Sequence, residues 1–175
     1  MSSAGSVEAF QVSVDVVLCQ AALMFFPDRA AALHEMARVV APGGTVAVQV
    51  WDRLEAQDGF LPLYAVLAEH GGQVAAELAG SYWVLGDLDL VSSLFEAAGL
   101  RITATRSRVG IARYDSSDEA VAAEVEATPL IERISEEVHR RILEDARAAL
   151  APFTAEDGRI ELPLRGHLIT ARRRD

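Results

Sequence analysis

The chain has 175 residues, 51% of them hydrophobic, and a formal net charge of −10. That length suits a single domain, and the hydrophobic share is enough to bury a core. The acidic balance argues against a nucleic-acid partner, which needs clustered basic residues to meet phosphate, and the one basic cluster, Arg172-Arg173-Arg174, reads as a solvated tail.

Residues 1–11 read as a leader, small and polar at its start, with none of the basic residues that open a signal peptide. Val12 to Leu18 is short, β-branched and almost wholly apolar, the pattern of a buried strand. The wider apolar run, Val14 to Phe26, contains Asp15 and Gln20 and is too short to span a bilayer. Pro27-Asp28 gives a stop and a helix cap. Arg29 to Val40 then has a helical pattern, with Leu33, Met36, Ala37 and Val40 on one face. Pro42-Gly43-Gly44 ends this helix and turns the chain into a second buried strand, Thr45 to Trp51. Residues 12–51 therefore predict a strand-helix-strand unit of a parallel sheet with a right-handed crossover.

Residues 52–86 change character. A weak helical stretch, Leu61 to Leu78, is followed by Ser81-Tyr82-Trp83, and the segment reads as a helical insertion or lid. Residues 87–175 return to the same domain. Asp87 caps a helix running to Ala98, with Leu90, Leu94 and Phe95 inward and Gly99 closing it. Arg101 to Ser107 alternates as a half-exposed strand, continued by Val109 to Tyr114. Ser116 to Glu119 forms a capping box before Ala120 to Ala127. Thr128-Pro129 opens a further helix bearing Leu130, Ile134, Val138 and Ile142, with Glu136/Arg140 and Glu137/Arg141 as i,i+4 pairs. Two strands, Arg159 to Leu164 and His167 to Ala171, finish the chain.

Several of these segments resemble class I S-adenosylmethionine-dependent methyltransferases of the ubiquinone/menaquinone-biosynthesis-like group (methyltransferase type 11). Asp15-Val-Val-Leu-Cys-Gln20 with Met24-Phe25-Phe26-Pro27-Asp28 resembles that family's fourth strand and following loop. Leu33-His-Glu-Met-Ala-Arg-Val-Val-Ala-Pro-Gly-Gly44 resembles its fifth-helix signature, and Thr45 to Trp51 its fifth strand. Phe95-Glu-Ala-Ala-Gly-Leu100 resembles the approach to its sixth strand, and His167 to Arg172 its antiparallel seventh. The resemblance implies an α/β fold: a partial Rossmann-like sheet from the fourth strand onward, with an antiparallel last strand and an inserted helical segment. The family's glycine-rich cofactor loop, with its G-x-G-x-G spacing, has no counterpart in the chain. The resemblance is thus to the C-terminal, substrate-side half of the fold.

That resemblance implies S-adenosylmethionine as cofactor; quinone-like, phenolic, lipid and small-acid acceptors are all open, and the acidic, aromatic composition without a basic pocket cluster favours a small, apolar, uncharged one. Gln20 and Cys19 lie where the cofactor-substrate boundary is expected, although Cys19 also reads as an inert buried thiol. Glu8 resembles the acidic residue that meets the adenine, against a plain reading as part of a disordered leader. Phe25 and Phe26 are expected to divide between core and pocket, while Trp51, Tyr82 and Trp83 are expected to meet substrate. His167 opens the last strand and is a candidate general base; His34, His70 and His139 read as exposed. No metal-ligand spacing occurs, and the single cysteine fits a reducing cytoplasm. A sheet cut before its fourth strand presents a hydrophobic edge and two uncovered faces, so a homodimer or a partner is expected to cover it. Three functions follow: a methyltransferase whose independent activity is in doubt without that loop, a non-catalytic half-fold binding module completed by homodimerisation or a partner, and a small-molecule carrier.

Overall fold

The computed structural model describes residues 13–174. The leader, including Glu8, therefore lies outside the described residues. The first strand, β1 (Val14–Gln20), leads through a 3₁₀ turn at Leu23–Phe25 to helix α1 (Arg29–Val39). Asp28 caps that helix as predicted, its carboxylate accepting from Ala31 N at 2.8 Å. Strand β2 (Val40–Trp51) pairs parallel with β1, as the strand-helix-strand pattern requires. The Pro42-Gly43-Gly44 turn falls inside this strand rather than before it. Pairing opens at Val14↔Val40 and resumes at Val16↔Thr45, with Gly43 at φ +76° in the bulge between.

Residues 52–86 are helical as expected. Helix α2 (Phe60–Gly80) is broken at Gly72, whose φ of +63° is open to glycine. Helix α3 (Leu88–Ala97) is capped by Asp87, whose carboxylate accepts from Asp89 N and Leu90 N. Its buried residues are Val91 and Phe95, with Leu90 turned outward, so the apolar stripe is rotated by one position from the expected one. A single strand, β3 (Leu100–Tyr114), runs through both stretches, as the continuation at Val109 to Tyr114 predicts. Helix α4 (Ser117–Val121) has the capping box: Ser116 Oγ accepts from Glu119 N, and the Glu119 carboxylate reaches back to Asp115 N.

The next helix begins later than the sequence suggests. Helix α5 (Glu136–Leu150) starts after Ser135, whose hydroxyl accepts from Val138 N, with Glu136 and Glu137 in its first turn. Leu130 and Ile134 precede it in an irregular turn, so a serine cap with acids behind it outweighs the Thr-Pro signal. Arg141 pairs with Glu137 as predicted, whereas Arg140 pairs with Glu137 and Glu144 rather than Glu136. One strand, β4 (Ile160–Arg173), ends the fold.

The sheet order is β1-β2-β4-β3, with β4 antiparallel to both neighbours. Side chains alternate across a strand, so Ile169 and Leu162 of β4 face opposite ways. On the Ile169 side, α1 and α3 bury Leu33, Ala37, Val91 and Phe95 against Val46, Val48 and Val50. On the Leu162 side, α2, α4 and α5 bury Leu63, Leu67, Val121, Ile142 and Leu150 over the far end of the β3–β4 ribbon. The near end of that second face carries no helix among the described residues. There Val14, Val16 and Leu18 of β1 are exposed, Leu18 at 75%. The expectation of a buried first strand is thus corrected: β1 is an edge strand, packed on one face through Val17 and Cys19. Among the described residues, only the part of one face nearest β1 is left without a helix.

Candidate functional site

Strands β1 and β2 end side by side at Gln20 and Trp51. Ala21, just past the end of β1, has φ +47°, a left-handed conformation costly for a residue with a Cβ. Its N–H donates to Gln49 O at 3.1 Å, and the sharp turn sends Leu23–Phe25 back over the fold. Gln20 and Gln49 are register partners on the helix-free face. With Trp51, Arg106 and Leu168 they line a cleft of about 440 Å³. Gln49 Nε2 donates to Val50 O at 3.1 Å, while its Oε1 is buried without a protein partner. Trp51 lies opposite Gly166, where a Cβ would come within 3.1 Å of the indole and 3.0 Å of Gln49 Nε2. Glycine at that position lets the ring lie across β4.

Cys19 and His167 point the other way. Cys19 is buried against the α1 side, and desolvation pushes its thiol up, which favours the inert form. His167 is 5% exposed, its Nδ1 at 2.8 Å from Ser107 Oγ and its Nε2 at 3.3 Å from Asp52 Oδ1. Its imidazole is hydrogen-bonded to Ser107 of β3 and sits beside Asp52 at the end of β2, with Nε2 making no hydrogen bond, and the residue also borders the cleft that Gln20 lines.

A second concavity, of about 210 Å³, forms where the loop after β1 meets the inserted segment. Phe25 and Tyr82 meet edge to face, ring centroids 5.1 Å apart at 87°. Tyr64 of α2 and Glu124 complete the polar part of the wall. Beyond α4 the helix widens into a π-helical turn over Ala122–Glu126, with Ala127 N donating to Ala122 O, and this turn presents Glu124 to the cavity. Tyr64 Oη donates to Glu124 Oε2 at 2.7 Å. Burial pushes the Glu124 carboxyl above its ordinary range, while hydrogen bonds from Tyr64 and Tyr114 pull it back. Burial, with Glu124's charge added, raises the phenols of Tyr64 and Tyr82 and pushes Tyr114 up to about 12.

The expected aromatic residues thus separate. Phe25 and Tyr82 share the smaller cavity, Trp51 lines the strand-end cleft, and Trp83 is buried in the α2–α5 core. Neither Phe25 nor Phe26 enters the core; Leu23 and Met24 do, and Phe26 lies over α1. His70 and His139, expected exposed, are half-buried beside Asp145 and Glu126, whereas His34 is exposed. Sequence reasoning missed Tyr64, Glu124 and Gln49. Glu124 had a signal: Ala120, Val121 and Val125 are apolar, and helical spacing puts residue 124 on their face. Among the described residues no group of three or more His, Cys, Asp or Glu can hold a metal, and no helix is long and apolar enough to cross a membrane.

Residues 3–48 match a family model described as a methyltransferase domain. The whole described fold superposes on solved structures of that kind. The described residues form a partial Rossmann-like sheet similar to methyltransferase folds. A candidate methyltransferase from an antibiotic biosynthesis pathway of Anabaena variabilis ATCC 29413 has this methyltransferase fold at TM-score 0.55 and 18% identity, over 89% of this chain and 66% of that one. The YcgJ protein of Bacillus subtilis matches at TM-score 0.52 and 18% identity, over 93% of this chain and 65% of that one. A candidate methyltransferase of Bacillus halodurans C-125 matches at TM-score 0.50 and 18% identity, with the same coverage of 93% and 65%. The chain therefore spans 65% of the length of the last two methyltransferase-fold proteins.

Proposed function

We propose that the chain serves methyl transfer from S-adenosylmethionine to a small, largely apolar acceptor, held in the cavity between Phe25 and Tyr82. The supporting observation is the Phe25–Tyr82 contact at 5.1 Å, which joins the loop after β1 to the inserted segment around that cavity. In sheets of this class, ligands sit beyond the C-terminal ends of the parallel strands. Gln20 and Trp51 are accordingly the proposed cofactor contacts. The cleft they line adds Arg106, Arg108 and the unpartnered Gln49 Oε1, and it includes no carboxylate. That set fits the amino and carboxylate groups of the cofactor and offers no acid to its ribose diol.

S-adenosylmethionine, if held by Gln20, Gln49 and Trp51, would supply an electrophilic methyl carbon to a nucleophilic atom of the acceptor and would leave as S-adenosylhomocysteine. Such an in-line displacement depends chiefly on positioning. The work left to this chain is to orient the acceptor and exclude water, which an aromatic wall at a strand end does. His167, held between Ser107 and Asp52, serves here as a structural tie rather than as the base. Calorimetric titration with S-adenosylmethionine and S-adenosylhomocysteine tests the cofactor half. Saturable one-to-one heat supports the reading; no heat and no thermal shift at millimolar ligand overturn it.

A second reading, a binding module completed by another copy of the chain, has its own support. Val14, Val16 and Leu18 expose an apolar edge strand, and such edges invite pairing. Light scattering at micromolar concentration is expected to give the dimer mass; a monodisperse monomer removes this reading.

A further inference from the structure

Resting on the acceptor-pocket reading above, we propose that the cavity selects an acceptor bearing an aliphatic ammonium group, held between the Glu124 carboxylate and the rings of Phe25, Tyr64 and Tyr82. Glu124 is the only charged residue lining the cavity, and its other walls are aromatic or aliphatic, with Ser81 and Thr128 the only aliphatic hydroxyls. Those hydroxyls are spent elsewhere: Ser81 Oγ donates to Leu78 O at 2.6 Å, and Thr128 Oγ1 donates to Glu124 O at 3.1 Å and Val125 O at 3.0 Å. Tyr64 donates to Oε2 and Tyr114 also hydrogen-bonds the carboxylate, whose two oxygens accept up to about four such bonds, so acceptor capacity remains. None of the ion pairs among the described residues includes Glu124.

A partly buried carboxylate without a cationic partner is costly: the tyrosine hydroxyls replace part of its hydration, but nothing in the wall supplies its counter-charge. A ligand that brings its own positive charge removes that cost. A neutral ligand leaves it in place, and an anionic one adds repulsion with no arginine to offset it. The aromatic walls favour the same choice. Ring faces attract cations, most strongly where water is excluded, and the perpendicular Phe25 and Tyr82 form a corner that offers an ammonium group two walls. At about 210 Å³ the cavity is smaller than the roughly 300–1,000 Å³ of sites for drug-sized ligands, which suits a small alkylammonium head. The uncharged acceptor expected from the sequence becomes an apolar one with a single cationic end.

The test uses the full chain and two probes of nearly equal shape, choline and its neutral carbon isostere 3,3-dimethylbutan-1-ol, titrated calorimetrically at pH 7.5. Choline is expected to bind at least tenfold more tightly than the isostere. Glu124→Gln is expected to remove that preference while leaving the isostere's affinity unchanged, with far-UV circular dichroism confirming the fold. Equal affinities for the two probes in the unaltered chain overturn the proposal, and that comparison needs no variant. A preference that survives undiminished in Glu124→Gln overturns it as well. The parallel titration with S-adenosylhomocysteine separates the two readings: cofactor binding without a choline preference sinks this inference alone, whereas a choline preference without cofactor binding supports the ammonium site and sinks methyl transfer.

Discussion

Glu124 shows how one side chain couples the energetics of this fold to its chemistry. Its carboxyl is raised by burial, so the folded chain holds that proton to higher pH than the unfolded chain does. Below the unfolded value of about 4.3 both states are protonated and the group carries no penalty. As pH rises, the unfolded chain ionises first, and the folded state loses stability until pH passes the folded value. Glu124→Gln removes this dependence and keeps an oxygen to accept from Tyr64 Oη. Its melting temperature relative to the parent chain is therefore expected to rise between pH 4 and pH 7.5 in a thermal scan series. A difference that falls or stays flat across that range sinks the assignment. The same residue was within reach of sequence reasoning through the spacing of Ala120, Val121 and Val125. Tyr64 was not, since nothing in a helix pattern says that a phenol will meet a carboxylate sixty positions later.

Among the elements, the inserted segment is fixed at its root by a single amide. Gln57 is fully buried, with Nε2 donating to Arg165 O at 2.8 Å and Asp52 O at 3.2 Å, and Oε1 accepting from Arg165 N at 2.9 Å. The side chain thus does for β4 what a neighbouring strand would do, at the point where β2 ends. Close by, Gly86 passes Arg53 so tightly that a Cβ would come within 2.0 Å of its N, so both ends of the insertion close on one place. Gln57→Ala leaves the Arg165 N–H without its partner, while Arg165 O keeps Asp52 N at 3.1 Å, at a cost of about 2 kcal/mol. For a chain of this size that is roughly a 4–8 °C fall in melting temperature. A fall of under 2 °C in calorimetry would mean that water replaces the amide. The start of α5 is a second lesson at this scale. Thr128-Pro129 and Ser135-Glu136-Glu137 both resemble helix starts, and the serine cap with two acids behind it prevails.

For the molecule as a whole, the decisive feature is the uneven cover of the sheet. Helices α1 and α3 protect one face near β1, and α2, α4 and α5 protect the other face at the far end of β3 and β4. Leu18 stands in the area that neither group reaches. Leu18→Lys is expected to change folding stability by no more than about 0.5 kcal/mol, as for exposed positions generally. If a second copy covers this face, the same substitution converts the dimer mass in light scattering to that of a monomer. A dimer that persists in Leu18→Lys places the contact elsewhere.

The strand-helix-strand unit, the Asp28 and Asp87 caps, the helix within residues 52–86 and the Ser116 capping box were all legible in the chain itself, because each depends on neighbours within a few positions. So was the methyltransferase-like order of the segments. Tertiary structure alone decided which apolar strand is an edge, because Val14, Val16 and Leu18 have the same composition whether or not a neighbour covers them. It likewise decided that Phe25 meets Tyr82 and that Trp83 does not meet a cavity. Those pairings are set by where β1 ends, by the left-handed turn at Ala21 and by the packing of α2 on α5. Local sequence determines what each segment can become; contacts between distant segments determine which side chains share a space, and this protein's candidate chemistry lies in that second set.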